Sequence, residues 1–171
     1  MNLQSTDFEL FDVPMRFAQD AAQLDARWKA LQRQLHPDRF AAEGAAAQRV
    51  AMQWSARVNE AFQRLKTPQK RAAYLCELHG AAIAAENNTA MPAEFLLRQM
   101  ALREAIDEAD TAQAVDHVDQ ELVAARRATL AQIEHQIDVA QDWPGAAQSV
   151  RALMFLDRLA ADVERRRATL A

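Results

Sequence analysis

The sequence is short of several features that would fix a fold or a function on their own. It holds one cysteine, Cys76, which excludes an intrachain disulfide and any cysteine-rich zinc site. It has three glycines against abundant alanine, a balance that favours helix. No period-2 alternation bounded by turn residues is found, so no sheet is expected. No apolar run approaches the length needed to span a bilayer, and the N-terminus lacks the basic-then-apolar pattern of a signal peptide. The expectation is a chain with no membrane partner, at home in a reducing cytoplasm. There is also no excess of cations: the formal net charge is −4 with only modest basic clusters, a poor match to nucleic acid, which needs several phosphate-neutralising cations on one face.

What is present is an apolar half and 26% charged residues, the balance of a globular chain of one domain or two small ones. The charge is uneven. Residues 1–80 carry 11 Lys and Arg against 9 Asp and Glu, and residues 81–171 carry 9 against 15. The two halves are therefore expected to meet different partners.

The first half is organised around Leu35-His36-Pro37-Asp38-Arg39-Phe40. Before it, Leu24, Trp28, Leu31 and Leu35 recur at helical spacing; after it, Val50, Trp54, Val58, Ala61, Phe62 and Leu65 do the same. Pro37 cannot continue the first helix, because it lacks an N–H and forces His36 out of the α region. The pattern predicts a helical hairpin with facing stripes, His36-Pro37-Asp38 exposed at its tip and a loop through Gly44. This resembles the J domain, by which co-chaperones activate DnaK-type chaperone ATPases. Phe8-Glu9-Leu10-Phe11-Asp12-Val13-Pro14 looks like its short first helix, and Asn59-Glu60-Ala61-Phe62-Gln63-Arg64-Leu65 like the end of its third. On the helix near Ala21–Leu35, Lys29 and Arg33 point away from the stripe, Arg27 lies at its flank, and Arg39 follows the tip. Most such charges are a solvated face. The J-domain resemblance makes them a basic surface that steers docking onto an acidic patch.

Thr67-Pro68 opens a further helix with Ala72, Leu75, Cys76 and Leu78 on its buried side and Gly80 as its stop. Residues 81–91 lack a stripe and read as a linker. Beyond Pro92 come a helix near Ala93–Ala109, one from Thr111 through Ile137, a break at Asp142-Trp143-Pro144-Gly145, and a last helix carrying Leu153, Leu156, Leu159, Val163 and Leu170. The expected architecture is all-α: a J domain over 1–80 and a three-helix bundle over 92–171. The segment Pro68-Gln69-Lys70-Arg71-Ala72-Ala73-Tyr74-Leu75, taken with that architecture, resembles the HscB family, the co-chaperones of iron–sulfur cluster assembly. The resemblance implies that the J domain binds the chaperone HscA and the bundle binds the cluster scaffold IscU. Two residues depart from the family pattern: Asp12 stands where Gly is frequent, and Ala101 where Glu is frequent.

The helix near Ala93–Ala109 has two apolar faces. Phe95, Leu102 and Ile106 make a core stripe, while Leu96, Leu97 and Met100 fall on a separate face that Glu104 and Glu108 continue. Burial of that second face by another helix is the plain alternative. The family resemblance makes it a scaffold-binding patch, extended by Phe155 at the edge of the last helix's seam. No catalytic constellation is visible. His36 and Asp38 have no nucleophile, phosphate loop or metal cage beside them, and His79, His117 and His135 are scattered without a second ligand at metal spacing. Arg165-Arg166-Arg167 reads as a solvated helix end. The expected protein is not an enzyme and needs no cofactor or metal. A J-domain co-chaperone for another client and a plain helical adaptor remain as alternatives, with a hydrolase built on His36 a distant third.

Overall fold

The computed structural model describes residues 4–84 and 91–170. Among them are seven α-helices and no strand: α1 Asp7–Phe11, α2 Ala21–Leu35, α3 Ala45–Lys66, α4 Pro68–Leu78, α5 Ala93–Glu108, α6 Ala112–Glu134 and α7 Trp143–Leu170. A 3₁₀ turn, Pro37–Glu43, joins α2 to α3, and a π-helical turn, His135–Ala140, follows α6. The chain forms two compact units, Met1–Leu75 and Cys76–Ala171. Their division falls inside α4, ahead of the boundary expected at Gly80, because the chain after Leu75 already packs with the second unit. His79 stacks on Trp143 with ring centroids 3.6 Å apart, Ile83 is buried, and the Ile83 carbonyl accepts a hydrogen bond from Arg151 at 2.9 Å. Residues 81–84 are therefore not free linker, and residues 85–90 of the expected linker lie outside the described residues.

In the first unit, Thr6 caps α1 by accepting from the Glu9 N–H while Glu9 reaches back to the Thr6 N–H. Asp20 caps α2 by accepting from Ala22 and Gln23. The helix stops where Pro37 demands it, with His36 in an extended conformation. The hairpin of α2 and α3 closes on rings: Phe62 stacks on Trp28 at 4.9 Å and on Phe11 at 6.4 Å. A polar rung runs beside them, in which Trp28 and Gln32 both donate to Asn59 and Ser55 donates to Gln32. On α3 the stripe begins at Ala51, and Val50, expected inside, is exposed. The segment expected as a loop before Gly44 is largely the 3₁₀ turn.

Two charged residues are built into this unit. Asp7 is fully buried at the start of α1, with Arg57 Nη2 at 2.7 Å and Arg64 Nη1 at 3.2 Å from its carboxylate. Its N–H donates to the Tyr74 hydroxyl, and Tyr74 stacks on Phe8. Arg71, also buried, donates to the Leu65 carbonyl at 2.5 Å and lies over the Phe17 ring. It thereby satisfies one of the carbonyls left open at the end of α3. That is a physical reason for the arginine in Pro-x-x-Arg. On α4, Ala72, Leu75 and Cys76 are buried, but Leu78 is exposed. Burial pushes the Cys76 thiol up to about 11, with Glu77 adding to the rise.

In the second unit α6 and α7 run antiparallel, as Arg126 paired with Asp157 and Arg167 paired with Asp116 and Asp119 require. Between them lies an aliphatic core of Val115, Val118, Leu122, Ala125, Leu156, Leu159 and Val163, joined by Leu102 and Ile106 from α5. The expected break at Asp142-Trp143-Pro144-Gly145 is instead the start of α7. Asp142 accepts from the Gly145 N–H at 3.0 Å, and Pro144 sits in the first turn, where its missing N–H costs nothing. The arginines near the C-terminus are tied down rather than simply solvated: Arg166 donates to the Ala109 carbonyl at the end of α5, and Arg167 reaches across to α6. Leu170 is partly exposed, outside the seam.

Candidate functional site

Each unit presents an exposed feature with chemistry of its own. In the first it is the tip. His36 is the cap of the 3₁₀ turn: its Nδ1 accepts from the Asp38 N–H at 3.3 Å. The Asp38 carboxylate lies 3.5 Å from the same nitrogen, and its side chain is 90% exposed. Pro37 occupies the first position of the turn. The result is a carboxylate on a short proline-led turn, open to solvent, with no Lys or Arg among the described residues paired to it.

Arg39 donates to the Arg33 carbonyl at 3.1 Å and folds the turn back onto the end of α2. The cations of α2 are matched unequally. Arg27 lies 2.6 Å from the Asp12 carboxylate, and Lys29 lies 2.6 Å from Asp25, one turn earlier on the same helix. Arg33, exposed, has no carboxylate partner among the described residues. Of the four predicted cations, two are already paired: Arg27 to another element at the flank of α2, and Lys29 within its own helix.

In the second unit the feature is the outer face of α5. Leu96, Leu97 and Met100 are 42%, 67% and 69% exposed, while Leu102 and Ile106 on the inner face are at 6% and 5%. Three neighbouring apolar side chains held in water at the first turns of a helix make a patch, since burying each would release roughly 1.5–3 kcal/mol. Glu104 and Glu108 continue the same side and are exposed. Phe155 is half-buried on α7, where the Phe95 ring meets it edge-on at 6.1 Å and the Arg103 guanidinium lies 5.8 Å over it. Phe95, expected in the core stripe, is only half-buried; it lines a groove of ≈ 360 Å³ together with Arg98 and with alanine, polar and leucine side chains of α6 and α7. Arg103 was not visible as a partner of Phe155 in the sequence. The signal that could have found it is the aromatic one residue outside the seam, which needs a partner.

Among the described residues no group of three or more His, Cys, Asp or Glu is placed to hold a metal ion. No helix among them is long and apolar enough to cross a membrane.

The model of the HSCB C-terminal oligomerisation domain matches residues 91–164. A co-chaperone protein HscB homolog of Burkholderia mallei is 49% identical over 166 residues, 95% of this chain and 94% of the relative. One from Burkholderia cenocepacia is 45% identical over the same share. Among solved structures, chaperone HscB from Vibrio cholerae superposes with a TM-score of 0.84 at 34% identity, covering 98% of this chain and all of that one. Human co-chaperone HscB superposes with a TM-score of 0.93 over 99% of this chain and 86% of that one; at 24% identity it speaks for the fold alone. Near-complete coverage at this identity, with the same all-α architecture, makes the chain a member of the HscB family of co-chaperones.

Proposed function

We propose that this chain stimulates the ATPase of the DnaK-type chaperone HscA through its first unit and delivers the iron–sulfur cluster scaffold IscU to it through its second. The observation that carries the reading is the pairing of two exposed features that the folds themselves do not use: the Asp38 carboxylate on its turn, and the Leu96-Leu97-Met100 face opposite the core face of α5. In this reading Asp38 pairs with a cation of the chaperone, His36 and Pro37 hold the turn that aims it, and Arg27, Lys29, Arg33 and Arg39 approach an acidic surface. Docking favours the hydrolysis-competent chaperone state, which requires contacts that differ between the chaperone's states. Leu96, Leu97, Met100 and Phe155 anchor the scaffold, and Glu104 and Glu108 supply charge at the rim of that contact. ATP is cleaved by the partner, and no cofactor is involved.

The test is steady-state ATPase turnover of HscA with this protein, with and without IscU. Wild type should stimulate turnover, and IscU should add to the effect. Asp38→Asn keeps the size and turn chemistry, so it should fold normally. It should nevertheless lose stimulation by about tenfold or more, since a hydrogen bond to a charged group is worth about 1.5–3 kcal/mol. Full stimulation by folded Asp38→Asn defeats the assignment of the tip. Stimulation that IscU leaves unchanged points to another client for the α5 patch.

A further inference from the structure

Asp12 stands at a backbone position that gives it no steric reason to be there. It closes α1 at φ 52, ψ 51, in the left-handed region, where glycine fits without cost and only Asn and Asp among the other residues are readily accepted. Its N–H donates to the Glu9 and Phe8 carbonyls, a closure that any residue with an N–H supplies. The carboxylate makes one ion pair, 2.6 Å from Arg27 Nη2, with the Asp12 and Arg27 side chains 82% and 45% exposed. A pair so open to water adds little to folding. Its effect lies in what the face of α2 presents. Arg27 is held by a carboxylate from another element, Lys29 by Asp25 of its own helix, and Arg33 and Arg39 beside the tip have no carboxylate partner among the described residues.

We propose that Asp12 is a built-in counter-ion that weakens docking: it occupies Arg27 and places a negative charge beside the basic face, so an acidic partner must displace it to reach that guanidinium. The inference rests on the reading that this face docks on the ATPase, and it adds a residue that sets the strength of that docking without touching the tip. A carboxylate approaching Arg27 meets repulsion from Asp12 at the same moment, and both effects are electrostatic and screened by salt. Attraction is thereby concentrated at the Arg33 and Arg39 end, next to Asp38.

The test titrates full-length protein into HscA and reads ATPase turnover. Asp12→Asn removes the charge and keeps a residue that tolerates the left-handed conformation; Asp12→Gly is a second variant that suits the backbone better still. Both should lower the half-saturating concentration about 2- to 5-fold at low ionic strength, with the plateau unchanged, and the gain should shrink at high salt. In an Arg27→Gln background the same substitutions should gain clearly less. An unchanged or raised half-saturating concentration for both variants overturns the proposal, and so does an undiminished gain in the Arg27→Gln background. If wild type gives no stimulation at any concentration, the reading of function itself has failed, and that outcome is distinct from a failure at Asp12.

Discussion

The two units reach a closed core by opposite means. The first buries rings: Phe8, Phe11, Phe17 and Phe62 are inside, with Trp28 and Tyr74 stacked against them, and it also buries a carboxylate between two guanidiniums. The second fills its core with valine, leucine, isoleucine and alanine, and its phenylalanines, Phe95 and Phe155, stay at the margin. A unit of some 75 residues with a short first helix has little surface to bury, and rings remove the most area per residue. Two long antiparallel helices bury enough with aliphatic side chains alone. The contrast shows where recognition can be placed. In the first unit most rings are committed to the core, so the exposed tip works with charge and the shape of a turn. In the second, apolar side chains and phenylalanines remain available at the surface.

The largest effect should come from the two faces of α5. Leu102→Ala removes a side chain with 6% exposure and should cost about 2–5 kcal/mol of stability. The triple variant Leu96→Ala, Leu97→Ala, Met100→Ala should melt near the wild-type temperature, because none of the three is in the core and Leu97 and Met100 are mostly in water. It should bind IscU at least about tenfold more weakly, since interface anchors commonly cost over 1 kcal/mol each. Early melting of the triple variant with a stable Leu102→Ala would reverse the faces and end the comparison for the second unit.

The first unit is tested next through Asp7. Asp7→Ala leaves Arg57 and Arg64 without their shared carboxylate, and both are 20–30% exposed and can turn partly to water. The loss should therefore be about 2–3 kcal/mol, below that of a fully buried pair, and urea denaturation will measure it. A negligible loss would mean that the rings alone hold this unit.

The smallest effect concerns Cys76. Its folded value of about 11 lies above the ordinary 9.0, so between those pH values the unfolded chain has lost a proton that the folded chain retains. Stability should fall across that window by at most about 1.4 kcal/mol per pH unit, and not below it. Cys76→Ala should lack that component of the pH dependence, and at neutral pH wild-type Cys76 should resist a thiol reagent until the protein unfolds.

Much of this was legible in the sequence because periodicity reports which side of a helix is wet. Leu24, Val58, Phe62, Leu102, Ile106 and Leu159 are inside where their spacing puts them, and Leu96, Leu97 and Met100 are outside. The errors share a cause: local pattern is silent about what another element does. Val50 and Leu78 continue a stripe past the point where a neighbour covers it. The same silence hides Asp7, an acidic residue in a first turn that only the arrival of Arg57 and Arg64 makes core. Trp143-Pro144-Gly145 carries the letters of a break, yet with Asp142 capping it is a helix start. Arg166 and Arg167 look like part of a solvated end until the Ala109 carbonyl, Asp116 and Asp119 come within reach, while Arg165 stays largely in water.

The ends of α5 are held unequally. At its C-terminal end Leu102, Ile106 and Ala109 are buried and Arg166 takes the Ala109 carbonyl, whereas its first residue follows Pro92, with no side-chain cap, and its early turns line the groove at Phe95. Opening such a helix from its N-terminus costs little, so amide protons there exchange sooner than those near Ile106. The residues that carry the apolar patch are the ones in those early turns. Any partner that grips them must also suppress their fraying, and part of the contact energy goes into lost conformational entropy. Client affinity is then open to adjustment by residues that never touch the client, through helix propensity and capping around Pro92–Glu94.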